Sequence, residues 1–411
     1  MYRIRMQAFV LVLISLGVLS YISFDGPAGV RPYPPSIHYD FTTTTPPTIL
    51  LVSAFFPLSH SKHSISDYED WLSRFLQPIT TPIYFFTTSE MEPFIRSLRG
   101  PNLPITINTT FSSPFDIPPL KDGIGTREKY EEMWAWDREK DIRNPELYAT
   151  WTAKPYFLNE GLRNSGVGYD YVFWNDAGSF RDPHSYASWP DPIRVKEVWE
   201  EGSRESGTSV KDLLFFPMWG LPHSNMKYWT EEEGPVNGDS AFSEGQSAFH
   251  SLINTANQPS PAGSFFGGSA QVIKWWCSLY FKYHDHYLAR NMFVGEDQIL
   301  FDILFLLNPH RIISVWQYDP NPPLPSSTIS SSNQSQASEW GESNTPLGAC
   351  GSTWFYYQFF LASESEREGM RGRWGSGSVA CRSTRVIAME SLLKRAFGNE
   401  WVPPRSSLDS S

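Results

Sequence analysis

Three short stretches, one lysine and one histidine of this sequence carry residue types that could do chemistry. Asn175-Asp176-Ala177-Gly178 follows an apolar and aromatic run, residues 169–174, broken only by Asp170. Asn, Asp and Gly after such a run mark the loop leaving a buried strand. Ligands of open α/β sheets bind at the carboxyl ends of strands, so Asp176 is a carboxylate held on a rigid scaffold at the place where such a fold puts its chemistry. Glu296-Asp297 opens a helical pattern, where free N–H groups and the helix dipole favour negative charge. Phe265-Phe266-Gly267-Gly268 ends in paired glycines, which let a ligand or another backbone approach closely. Lys154 adjoins Pro155, and His310 is a candidate metal ligand. Each has a plainer reading. Asn175 and Asp176 build a turn, the glycines serve turn geometry, Glu296 and Asp297 cap a helix, and Lys154 is solvated. His284 and His286, two apart on a helix, do not share a face and read as surface residues.

Periodicity supplies the elements that must hold these groups. Residues 49–56 read as a buried strand, and a helix capped by Ser64 or Ser66 follows. A strand at 82–87, a short helix capped by Ser89 and ended by Gly100, and a strand at 105–107 complete a β-α-β-α-β order. That order implies parallel strands with right-handed crossovers. Residues 127–163 are largely helical, started by Asn144-Pro145, and Pro155 should kink or split the helix. Strands are expected at 169–174, 213–217, 263–268 and 311–316. An amphipathic helix with Val272, Ile273, Trp276, Leu279, Tyr280, Tyr283 and Tyr287 on one face precedes the helix opened by residues 295–298. Residues 220–260 read as an irregular insertion.

The 411 residues carry a net charge of −11, with 15% aromatic residues. The aromatic and apolar content supplies a core, and the acidic balance argues against a nucleic-acid binder. Residues 6–24 are uncharged, follow Arg3 and Arg5, and at about 1.5 Å per residue suffice to span a bilayer. They read as a signal anchor of a single-pass type II membrane protein, cytosolic at its N-terminus. Cleavage near 18–20 would make the protein secreted. Residues 25–47 form a Pro/Thr-rich stem, 48–317 the main domain, 318–347 a flexible Ser/Pro-rich segment, and 348–411 an extension packing on the domain. Asn108 and Asn333 begin glycosylation sequons, in keeping with a lumenal body. Of the three cysteines, Cys350 and Cys381 could pair, with Cys277 buried in a helix.

Taken in order, ILLVSAFF (49–56), WTAKP (151–155), YVFWNDAG (171–178), FFGG (265–268) before an amphipathic helix, and GEDQ (295–298) resemble the HtrL/YibB family of proposed glycosyltransferases. The resemblance covers roughly residues 48–316. It implies an α/β, GT-A-like nucleotide-diphospho-sugar transferase fold with a mixed, mostly parallel sheet flanked by helices. It also implies that Asp176 stands where such enzymes place a metal-binding motif, usually Asp-x-Asp. Here that motif is Asn175-Asp176, one hard carboxylate short for the implied Mn²⁺ or Mg²⁺. By the same resemblance Ala177 and Gly178 leave room for ribose and diphosphate, and Lys154 contacts the donor diphosphate. Asp297, beside Glu296, serves as base or acceptor contact, and Gly267 and Gly268 shape the acceptor pocket.

The function expected is transfer of a sugar from a nucleotide-sugar donor to a glycan, lipid or protein acceptor in the Golgi or ER. A non-catalytic lumenal binding protein on a degenerate transferase fold is the alternative. A hydrolase with paired carboxylates is a third. The separation of Asp176 and Asp297 divides these: a catalytic role needs both in one cleft.

Overall fold

The computed structural model describes residues 45–59, 63–137, 140–141, 143–218, 220–222, 224–235, 262–316, 319, 355–374 and 384–408. The chain divides into a unit Met1–Thr45 and a unit Pro46–Ser411, and every strand and helix described belongs to the second. Residues 6–24, most of the 25–47 stem, the 318–347 segment apart from Asp319, Asn333, Cys350 and Cys381 lie outside the described residues. Among the described residues, no helix is long and apolar enough to cross a membrane.

The strands are β1 (Ile49–Phe55), β2 (Ile83–Thr87), β3 (Ile105–Asn108), β4 (Tyr171–Asn175), β5 (Leu214–Met218), β6 (Phe265–Gly268), β7 (Ile312–Trp316) and β8 (Val386–Ala388). They form one sheet in the order β3-β2-β1-β4-β6-β5-β7-β8. β1 to β4 are mutually parallel where they pair. β6 runs antiparallel to both β4 and β5, β7 is parallel to β5, and β8 closes the edge antiparallel to β7. The fold is thus α/β with a mixed, mostly parallel sheet.

The central strands are buried on both faces, as their unbroken apolar runs require. Side chains alternate along β1: Leu50, Val52 and Ala54 enter one core, and Ile49, Leu51 and Phe55 the other. The first core is covered by α4 (Pro145–Asn164), α6 (Ala270–Leu288) and α7 (Asp297–Leu307), with α3 (Arg127–Trp134) and the later α10 (Met389–Phe397) at its sides. The second is covered by α1 (Ile65–Leu76), α2 (Glu92–Arg99), α5 (Pro192–Ser206) and α8 (Tyr356–Phe360), with α9 (Glu364–Trp374) following.

Local signals explain the helix ends. Ser64 caps α1 in a reciprocal box with Asp67, and the Asn144 side chain accepts the Leu147 N–H at the start of α4. The helix expected from Ser89 begins instead after Met91, without a side-chain cap, and ends at Gly100 with φ of 72°. α4 runs through Pro155 as one helix, contrary to the expected split. The ring removes one N–H, but Thr152, Ala153, Pro155, Phe157, Leu158 and Gly161 are buried around it, and that packing outweighs one lost hydrogen bond. His284, expected at the surface, is fully buried. It lies four residues after Tyr280 on the inner face of α6, where its Nε2 meets the Tyr130 hydroxyl at 2.9 Å and its Nδ1 meets Asp285 at 2.9 Å. Cys277 is buried and free in the same helix, and burial pushes its thiol up to about 12.

Candidate functional site

The site forms at the carboxyl edge of β4, and strand direction explains its membership. Because β6 is antiparallel, its first residue pairs with the last of β4, Phe265 with Asn175. Gly263 and Ser264, just before β6, therefore arrive beside Asp176, whose N–H donates to the Ser264 carbonyl at 2.8 Å. α7 leads back to the start of β7, so its first turn, with Asp297, lies at the same edge. α4 precedes β4 and carries Lys154 beneath both carboxylates.

Lys154 is the hub. Its Nζ lies 3.3 Å from Asp176 Oδ1, 3.4 Å from Asp176 Oδ2 and 2.9 Å from Asp297 Oδ2, and donates to the Gly263 carbonyl at 2.9 Å. The Asp297 contact is an ion pair without hydrogen-bond alignment. The ammonium thus has three partners, two of them hydrogen-bonded. Lys154 is 4% exposed and Asp297 1%, whereas the Asp176 side chain is 31% exposed. Asp176 is the member that meets solvent. Its Oδ1 also accepts from Trp174 Nε1 at 2.6 Å.

Burial alone would lower the Lys154 pKa, but Asp176 and Asp297 outweigh it and hold the ammonium above its ordinary value. Burial pushes the Asp297 carboxyl up; Lys154 opposes the rise and the charge of Asp176 adds to it. Both directions are consistent: two carboxylates share one ammonium, so one of them is left under-compensated.

The remaining expected residues fall around this hub in different ways. Asn175 is fully buried; its Oδ1 accepts from Ser179 Oγ at 3.1 Å and its Nδ2 donates to the Asp176 carbonyl at 3.1 Å, so it shapes the loop. Ala177 is buried, and a Cβ on Gly178 would meet the Trp71 ring at 3.1 Å. The glycines of β6 permit close approach of neighbouring backbone: a Cβ on Gly267 would lie 2.2 Å from the Val172 carbonyl oxygen, and one on Gly268 2.6 Å from that of Leu213. Glu296 pairs with Arg143, which also lies over the Trp151 ring. Neither Glu296 nor Asp297 is a plain helix cap. His310 is exposed in the turn before β7, at the opposite edge of the sheet from Asp176. Asn108 ends edge strand β3, with its amide donating to the Tyr84 hydroxyl at 3.0 Å.

Two residues escaped the sequence reading. Gly263 leaves room for the carboxylate, since a Cβ there would lie 2.7 Å from Asp297 Oδ2. Arg181 sits on the loop that Asp176 begins. Its guanidinium carbon is 4.3 Å from the Trp71 ring centre and 5.6 Å from that of Phe355, and its Nε donates to the Gly178 carbonyl at 3.2 Å. The available signal was an arginine five residues after Asp176, but its stacking partners come from distant segments.

The donor set does not fit a hard divalent cation, which takes about six oxygens. The Asp176 oxygens face an ammonium and an indole N–H, Asp297 is buried against the same ammonium, and the Asn175 oxygen is engaged by Ser179. Among the described residues, no group of three or more His, Cys, Asp or Glu could hold a metal ion.

Among known proteins, no family model and no curated protein sequence matches the chain. Solved structures give likenesses of fold, an α/β architecture, among glycosyltransferases. The chain is similar to core-mannan synthase A (CmsA/Ktr4) from Aspergillus fumigatus in its Mn/GDP form, at 15% identity and a TM-score of 0.38, over 68% of this chain and 75% of that one. It is similar to the mannosyltransferase Ktr4p from S. cerevisiae in complex with GDP, at 15% identity and a TM-score of 0.38, over 78% and 84%. A third likeness is the bifunctional glycosyltransferase WbbM, at 8% identity and a TM-score of 0.30, over 66% and 39%.

Proposed function

We propose that this protein transfers a sugar from a nucleotide-sugar donor to an acceptor hydroxyl, at the carboxyl edge of β4. One observation carries the reading: Asp176 and Asp297, 121 residues apart in sequence (297 − 176), converge on a single buried lysine, with Asp176 the partly solvent-exposed member. The ordered motifs that resemble the HtrL/YibB family point the same way. In this scheme Asp176, the solvent-facing carboxylate, takes the role of base or substrate contact, because Asp297 is sealed beneath it. Asp297 and Lys154 hold Asp176 in place, and the Trp174 indole fixes its second oxygen. Residues 6–24 would anchor the protein, with the domain in the lumen of the Golgi or ER; a glycan, lipid or protein acceptor fits equally.

The test is nucleoside diphosphate release from a panel of nucleotide sugars, GDP-mannose included, by wild type and Asp176→Ala. Release that drops by on the order of 100-fold in the variant supports transfer or its hydrolytic side reaction. No release from any donor, with no melting shift from any nucleotide, overturns it. The non-catalytic alternative is favoured by how completely Trp174 and Lys154 already engage Asp176; it predicts nucleotide binding without release.

A further inference from the structure

We infer that Arg181, rather than a divalent cation, binds the diphosphate of the nucleotide donor, an assignment that rests on the transferase reading above. A leaving diphosphate must be neutralised by a metal or a cationic side chain. The metal is disfavoured by the donor set, whose oxygens are already turned to an ammonium and an indole N–H. Lys154 is disfavoured by its surroundings: it is buried, it hydrogen-bonds Asp176 and the Gly263 carbonyl, and its charge is already paired with Asp176 and Asp297.

Arg181 has what both lack. It is half-buried on the turn that Asp176 opens, where the Ser179 N–H donates to the Asp176 carbonyl and the Arg181 Nε to the Gly178 carbonyl. Trp71 and Phe355 fix the guanidinium plane. Among the described residues, no acceptor pairs with its two terminal nitrogens, and no carboxylate forms an ion pair with it. Burial lowers its pKa, opposed by Tyr68 and by Asp176. A stacked, planar fork with two unspent –NH₂ groups suits bidentate binding of phosphate oxygens. Gln358 Nε2 donates to the Ser179 carbonyl at 2.9 Å and keeps the Phe355 side of the stack against the same loop.

The experiment is calorimetric titration of the full chain with UDP, GDP and inorganic pyrophosphate, once in EDTA and once with Mn²⁺. Wild type should bind at least one nucleoside diphosphate in EDTA. Arg181→Gln should weaken that binding on the order of 10- to 100-fold, the loss expected for hydrogen bonds to a charged group. Arg181→Lys keeps the charge and the stem over Trp71, so it should melt like wild type and still bind more weakly, because the fork is gone. Variants that bind as wild type overturn the assignment. So does wild-type binding that vanishes in EDTA and returns with Mn²⁺, which would leave the transferase reading standing. Wild type that binds no probe in either condition removes both.

Discussion

At the scale of single residues, Lys154 is the group on which the others depend. Removing one partner of a buried ion pair leaves an uncompensated charge and destabilises by about 3–5 kcal/mol. Lys154→Met would leave Asp297 in that state, beneath a second carboxylate. The pH dependence follows from the Asp297 carboxyl, which burial already holds above its ordinary value. A raised carboxyl stabilises the fold fully below the unfolded value, near 4, and that stability is lost as pH rises through the folded value. Lys154 itself is raised, so its contribution is complete at neutral pH and is lost only in strong alkali. Lys154→Met should therefore be most stable in acid and weaken as pH rises above about 4, and adding Asp297→Asn should remove that slope. Urea denaturation at several pH values measures this; a Lys154→Met protein as stable as wild type at pH 7 would overturn the ion-pair account. Asp176 and Asp297 stood out in the sequence because each lies at an element boundary with a recognisable signal, whereas Lys154, in the middle of α4, reads as a solvated lysine and gains a role only through the resemblance. Arg181 did not, and neither did the ring beside Gly178, because Trp71, which packs against both, arrives from α1.

At the scale of elements, β6 decides the site. Parallel strands put their carboxyl ends at one edge, but only an antiparallel neighbour brings its amino end there, and with it Gly263 and Ser264. The apolar runs of β1, β2, β4, β5 and β7 announced themselves through β-branched and aromatic residues. The direction of β6 could not be read from four residues, because direction is set by what the chain does between β5 and β6. Its glycines have a clear physical reason now: β6 is wedged between β4 and β5, and a Cβ on Gly267 would reach the Val172 carbonyl oxygen and the Phe173 Cα, both unable to yield. Gly267→Ala should destabilise by about 3 kcal/mol, the upper range for overpacking against backbone. It should also separate β6 from β4 and loosen Asp176 from Ser264. Gly100→Ala is not the matching control, since its positive φ adds strain of its own; Gly168→Ala, with nothing near the added methyl, is. Chemical denaturation of the pair reads the difference, and equal stability of Gly267→Ala and Gly168→Ala would contradict the tight pairing.

At the scale of the whole molecule, the sheet is sealed on each face by its own core, and the C-terminal residues belong to both. Trp401 and Phe397 complete the core over α4 and α6, while Phe355, Tyr357 and Phe360 complete the other. Tyr357 stacks on Phe265 with ring centres 4.6 Å apart, Phe360 on Phe215 at 6.2 Å, and Trp189 Nε1 donates to the Gln358 carbonyl at 2.8 Å. β8 adds a strand too short to show in any periodicity, and the helices around it follow a long Ser/Pro-rich stretch, which is why this part of the fold was hardest to read from sequence. Its energetic weight is large. Phe355, Tyr356, Tyr357, Phe359, Phe360, Leu361 and Met370 are all buried. At about 1.5–3 kcal/mol for each large apolar side chain, losing them removes roughly 10 kcal/mol even at the low end, comparable to the whole ~5–15 kcal/mol stability of a domain. A chain ending at residue 354 should therefore fail to give a soluble monomer with a cooperative melt, while Tyr357→Ala in the full chain, losing about 3–5 kcal/mol, should still fold. Size-exclusion chromatography and near-ultraviolet circular dichroism distinguish these outcomes. A truncated chain that melts cooperatively within a few degrees of the full one would mean that the second core closes without its C-terminal aromatic residues, and that Phe265, at the head of the strand feeding the site, does not need Tyr357 to hold its place.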